Sequence, residues 1–121
     1  MKTLKANIPS VRTFTVNEHG EIFNYLGKKL GGKKNPYYPY MRSLDFLNLD
    51  RQRQVMTFAK IVWNTFNPEN MTQADEIVQV IDREAEYVFA IKNLRKISRT
   101  DKVEEINKIR FEKINQRKLN V

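Results

Sequence analysis

Alternation of apolar and polar positions sets in at Val11. VRTFTV (Val11–Val16) alternates β-branched and aromatic residues with polar ones, the pattern of a strand with one covered face. Asn17-Glu18-His19-Gly20 interrupts it as a turn, where Gly20 can supply a positive φ, and EIFNYL (Glu21–Leu26) reads as the returning strand. A second pair follows: LDFLNL (Leu44–Leu49), a turn at Asp50-Arg51, then RQVMTF (Arg53–Phe58). At AKIVWNTF (Ala59–Phe66) the period changes to that of a helix. Ile61, Val62, Thr65 and Phe66 share a face with Trp63 at its edge, which predicts that Trp63 and Phe66 belong to the core. Asn67-Pro68 ends the segment, because the residue before a proline disfavours helix.

Residues 72–96 have a helical period as well. Thr72 with Asp75 resembles a capping box, and Ala74, Ile77, Val78, Ile81, Ala85, Val88 and Ile91 form a stripe. Ser98 or Thr100 can cap a C-terminal helix from about Asp101 to Arg117. Its apolar face, Val103, Ile106, Phe111 and Ile114, has Arg110 inside it, so partial packing is expected, with Lys102, Lys108 and Arg110 among the cations left for a partner. Residues 1–10 lack periodicity and end at Pro9-Ser10, the pattern of a loose lead-in. The expected organisation is one α+β domain over residues 11–99, followed by a basic helix and tail over 100–121.

Charge adds a partner to this picture. The net charge is +8. Residues 1–50 hold eight Lys/Arg against four acids and residues 97–121 hold seven against four, while 72–96 hold four against five. Two basic ends around a nearly neutral middle suit a polyanion touched at two places; the plain alternative is solubility in a basic proteome. No apolar run reaches the roughly 20 residues of a spanning helix, and Met1-Lys2 leads into no apolar signal core, so a cytoplasmic protein is expected. With no Cys and one His, disulfides, thiol catalysis and multi-His metal sites are excluded. His19, alone in a turn, reads as a solvated residue. No cofactor or metal is expected.

GKKLGGKKNPYYPY (Gly27–Tyr40) has the most distinctive composition in the chain. Lys28, Lys29, Lys33 and Lys34 surround Gly31-Gly32, and Tyr37 and Tyr38 follow. Such a loop lets backbone and ammonium groups approach phosphates while the tyrosines stack on bases or sugars. Equally, it can be a surface loop whose tyrosines fold back onto the core. It is not a nucleotide-binding P-loop, since it lacks the Ser/Thr and the strand context.

The frame of the chain resembles the HNH homing endonucleases common in phage genomes. Thr15-Val16-Asn17-Glu18-His19-Gly20-Glu21-Ile22 is similar to a Val-Ser-Asn-x-Gly-x-Val hairpin of those proteins, with one extra residue in the turn. The helix, Asn67-Pro68, the Val78–Arg83 stretch and Asn93-Leu94 before a basic run follow in the family's order. The resemblance covers roughly residues 11–105. It implies a ββα core in place of the helical stripe, with strands at Ile77–Ile81 and around Leu94–Ser98 and a turn near Asp82–Glu84. Both readings of 72–96 stand at this point.

The resemblance also implies a site. An HNH enzyme cuts DNA with one divalent metal and a His that activates water. Here Val80 stands where the His of Val-x-His-x-Asp-Gly belongs, Arg83 replaces the Gly, Val88-Phe89 fall near the Asn pair, and Ala59 replaces the His that opens the earlier helix. Asp82 and Asn93 persist as the remnant of the metal site, and read more simply as turn and cap residues. The expectation is a small α+β domain of β-hairpins, a short helix and a degenerate ββα core. It would not be an enzyme but an inactive DNA-binding relative encoded by a phage or mobile element, acting by site occupancy as a repressor or as a competitor of a nuclease. Lys28, Lys29, Lys33, Lys34, Tyr37, Tyr38, Arg42, Arg95, Lys96, Arg99, Lys102 and Arg110 are the expected nucleic-acid contacts, with duplex DNA favoured over RNA. The alternatives are a basic RNA- or ribosome-associated protein and an inhibitor of an acidic host protein.

Overall fold

The computed structural model describes residues 1–38, 41–101, 104, 107 and 108. Its centre is a nine-residue helix, α1 (Phe58–Phe66), whose Ile61 and Val62 are fully buried. The strand before it runs straight into the helix because Thr57 caps it: the Thr57 Oγ1 accepts the Lys60 N–H at 3.3 Å. The helix stops at Asn67, as the following Pro68 dictates, with the Asn67 N–H returning to the Trp63 carbonyl at 2.8 Å.

Three antiparallel sheets surround α1. The first has four short strands, β1 (Thr3–Lys5), β2 (Thr15–Asn17), β3 (Ile22–Phe23) and β4 (Lys29–Leu30), in sequence order. Its register aligns Leu4, Val16, Ile22 and Leu30 in one row across all four strands. Directly opposed residues share a sheet face, so this row supplies the buried side, with Val16 and Ile22 at its centre. The second sheet is β5 (Lys33–Lys34), β6 (Arg42–Leu47) and β7 (Arg53–Thr57), with Leu44 and Phe46 turned into the core. The third is the ribbon β8 (Glu76–Val80) and β9 (Leu94–Ser98), entered by a single 3-10 turn over Ile91–Asn93.

The expectation for the N-terminus is corrected. Residues 1–10 are no loose lead-in: β1 pairs with β2, Ala6 is buried, and the Asn7 N–H donates to the Thr65 Oγ1 at 3.0 Å. Period alone missed this because β1 is too short to show alternation. Of the two readings of residues 72–96, the ββα one holds and the helical stripe does not form. All five β8 residues are half-buried, so EIVQV shows no clean alternation and imitates a helical face. The C-terminal helix begins at Arg99 and includes Asp101, Glu104, Asn107 and Lys108. Ser98 caps it, its Oγ accepting the Asp101 N–H at 3.0 Å. No helix among the described residues is long and apolar enough to cross a membrane.

The N-terminal hairpin is fastened to the segment 87–91. Gly20 has φ +78°, and a Cβ there would come within 2.1 Å of the Phe89 carbonyl oxygen. The Ile91 N–H donates to the Glu18 carbonyl at 3.1 Å. His19, expected to be solvated, instead stacks on Tyr87, with ring centroids 3.8 Å apart and planes 12° from parallel.

Candidate nucleic-acid interface

A cleft of about 300 Å³ opens between the start of α1 and β8. Ala59, at the first turn of the helix, lines it with Val78 and Val80 of β8 and with Phe89. The Phe89 ring is held edge-on to Phe58, centroids 5.6 Å apart at 64°. Ala59, Val80 and Phe89 lie far apart in sequence and meet here. Arg42, Lys60, Arg83 and Arg99 stand along the cleft. Among the described residues, Glu76 is the one carboxylate on its walls, and it is paired with the Lys96 Nζ at 3.3 Å.

Asn93 stays beside this cleft as a scaffold residue. Its side chain is 9% exposed, its Oδ1 accepts the Asp82 N–H at 3.0 Å, and its Nδ2 donates to the Asp82 and Val88 carbonyls at 2.9 and 2.8 Å. Asp82 is exposed, and its Oδ1 accepts the Glu84 N–H at 3.0 Å, as a turn residue does. Both Asn93 amide atoms are engaged by backbone, and no three His, Cys, Asp or Glu side chains cluster among the described residues.

The expected contacts do not form one cluster. Lys28 lies in the β3–β4 turn, its N–H donating to the Asn24 Oδ1 at 2.9 Å. Lys29 pairs with the Glu21 Oε2 at 2.7 Å. That hydrogen bond, with one from the Asn17 amide, holds the Glu21 carboxyl below the ordinary carboxylate value. Lys33 and Lys34 occupy successive strand positions and face opposite sides of their sheet. Lys34 is opposed to Arg42, which shares its face with Leu44 and Phe46 and so reaches the cleft. Lys33 opposes Ser43 and lines a second, open hollow with Arg12 and Tyr25. Tyr37 is 85% exposed and Tyr38 52%; their N–H groups both donate to the Asn35 Oδ1, which fixes the β5–β6 turn. Tyr37 and Tyr38 therefore do not fold back onto the core.

On the ribbon, Arg95 is exposed and its Nε donates to the Gln79 Oε1 at 2.9 Å. Lys96 corrects an expectation: its side chain is only 14% exposed and is held by Glu76 and by the Asn70 carbonyl at 3.4 Å. It is a packing and pairing residue, because the register sets it opposite Val78 and beside Glu76. Lys102 and Arg110 lie outside the described residues. Sequence reasoning missed Arg12, Lys60 and Arg83. Arg12 is placed by Tyr25, whose hydroxyl accepts from its Nη1 at 2.8 Å while the ring lies 4.7 Å beneath the guanidinium.

No protein-family model and no curated protein matches this chain. Among solved structures, the chain is similar to the HNH homing endonuclease I-HmuI, from a study of its DNA binding and cleavage. The match has a TM-score of 0.62 at 14% identity and covers 87% of this chain. The chain spans 57% of that protein's length. At this identity the likeness concerns the fold, and the fold of this chain is HNH-like: small, α+β, with β-hairpins around a short helix and a ββα core.

Proposed function

We propose that this is a DNA-binding protein with the HNH scaffold and no nuclease activity, encoded by a phage or another mobile element, which acts by occupying its site as a repressor or a competitor of a related nuclease. The observation that carries this reading is the character of the cleft. Where an enzyme of this kind needs a general base and metal ligands, the walls present Ala59, Val80 and Phe89, which can neither take a proton nor hold a metal. The cations that line it, Arg42, Lys60, Arg83 and Arg99, remain suited to a phosphate backbone. Lys34 beside Arg42, and the projecting Tyr37, extend the same surface.

The test has two parts. Gel shifts on duplex DNA, single strands and structured RNA should give the tightest complex with duplex DNA, weakening steeply with salt. Supercoiled plasmid incubated with the protein and Mg²⁺ or Mn²⁺ should stay intact. Metal-dependent nicking that disappears in an Asp82→Ala variant would overturn the inactive reading, and preference for structured RNA would overturn the DNA reading.

A further inference from the structure

The cleft has a property that occupancy of a phosphate backbone does not use: it is concave, and Ala59, Val78, Val80 and Phe89 give it apolar walls among its charged ones. We infer that it takes a nucleotide, with the base against the Phe89, Val78 and Val80 wall and the phosphate on the arginines. Its volume, about 300 Å³, lies at the lower end of the roughly 300–1,000 Å³ typical of small-ligand sites, which combine apolar walls with a few polar groups. The walls offer flat apolar contact from Phe89, fixed by its edge-on packing against Phe58. They also offer hydrogen-bonding capacity from Gln79, whose amide oxygen is held by Arg95 and whose NH₂ is the complementary donor.

Charge selects the class of ligand. Among the described residues, Arg42, Lys60, Arg83 and Arg99 stand along the cleft with the carboxylate of Glu76, which is paired with Lys96. A neutral apolar molecule would leave this field unused, whereas an anion without an apolar body would leave the walls dry and empty. A nucleotide satisfies both: guanidinium groups bind phosphate through paired N–H donors, and bases lie against aromatic and aliphatic side chains. The same chemistry has two sources. One is a nucleotide of a bound DNA strand rotated out of its stack, at an unstacking cost of a few kcal/mol that such a pocket offsets. The other is a free mononucleotide. The first source rests on the DNA-binding reading and the second does not.

Two measurements separate them. Duplexes carrying 2-aminopurine at successive positions are saturated with protein, so that affinity does not enter the signal. The expected result is a several-fold rise in fluorescence at one position or a few adjacent ones. A Val80→Trp variant, which fills the cleft, should abolish the rise at saturation. Phe89→Leu, which keeps apolar volume but removes the ring, serves if the tryptophan variant does not fold. In parallel, NMR titration with adenosine 5′-monophosphate should shift Val78, Val80 and Phe89 signals more strongly than adenosine or inorganic phosphate does alone.

A fluorescence rise without mononucleotide binding assigns the ligand to the DNA strand. Mononucleotide binding without the rise assigns it to the free nucleotide, and if DNA is then not bound at all, the occupancy reading falls while the site stands. Saturable DNA binding with neither signal overturns the nucleotide site and leaves the occupancy reading intact.

Discussion

Replacing Asn93 by Asp preserves the size of the side chain and an oxygen for the Asp82 N–H, but removes the amide hydrogens that reach the Asp82 and Val88 carbonyls. A carboxylate oxygen would then face two carbonyl oxygens in a site only 9% exposed. Two lost hydrogen bonds cost about 1 kcal/mol each, and an unpaired charged acceptor at a buried position adds about 1–3 kcal/mol, so the total is roughly 3–5 kcal/mol. Asn93→Ala loses all three bonds and leaves the Asp82 N–H unpaired, for about 4–6 kcal/mol on the same reckoning. Both variants should shift the urea midpoint without changing the slope. The comparison of Asp with the parent Asn is informative because a metal ligand obeys the opposite ranking: Asp is the better ligand for a hard divalent cation. If Asn93→Asp is as stable as the parent, or if Mn²⁺ raises its stability selectively, the scaffold role assigned to Asn93 is wrong.

Other expected outcomes are smaller in scope. Trp63 is half-buried, and its Nε1–H donates to the Asn70 carbonyl at 2.9 Å; Trp63→Phe should cost about 1–2 kcal/mol by thermal melt, and Trp63→Ala about 2–4, below the loss for a fully buried indole. Gly20→Ala should cost roughly 2–4 kcal/mol, since it adds a Cβ against the Phe89 carbonyl at a positive φ; a neutral result would mean the two segments do not touch. Because Glu21 titrates below its ordinary value near 4.5, its contribution is complete above that value and is lost as pH falls through the lowered folded-state pKa; Glu21→Gln should therefore reduce the acid-side loss of stability by no more than about 1 kcal/mol for this partly exposed pair. Lys34→Gln should lower the salt-dependence slope on duplex DNA by about 0.9, the value of one phosphate contact, and Lys29→Gln by clearly less, because Lys29 is already paired; equal effects would show the Glu21 pair to be irrelevant to binding.

The legible parts of this fold are those whose signals are local. The β2–β3 turn, the β6–β7 hairpin and α1 follow from alternation, turn residues and the Pro68 stop, to within a few residues. The β8–β9 ribbon was legible only by resemblance: both its faces are partly covered, so periodicity pointed to a helix. For the site, the replacement of polar by apolar residues at Ala59, Val80 and Phe89 could be read in the chain, but their convergence into a cavity could not. The fold divides the lysine cluster for a simple geometric reason. Neighbours in a strand face opposite ways, so composition gathers Lys33 and Lys34 where the backbone separates them. Lys96 turned inward for the same kind of reason, its direction set by a register no single segment encodes.

The hydrogen bond from Ile91 to Glu18 joins residues separated by 73 positions (91 − 18). Closing so long a segment is entropically costly before it brings any compensating contact, so this union belongs among the late events of folding, after the local hairpins and α1 have formed. Phe89 is one wall of the cleft and also the backbone against which Gly20 rests. The shape of the cleft is thus completed only when the two halves of the chain meet. An emerging or partly unfolded chain can hold its hairpins and helix and still lack the pocket, which makes nucleotide capture a property of the finished molecule rather than of any segment that could be cut from it.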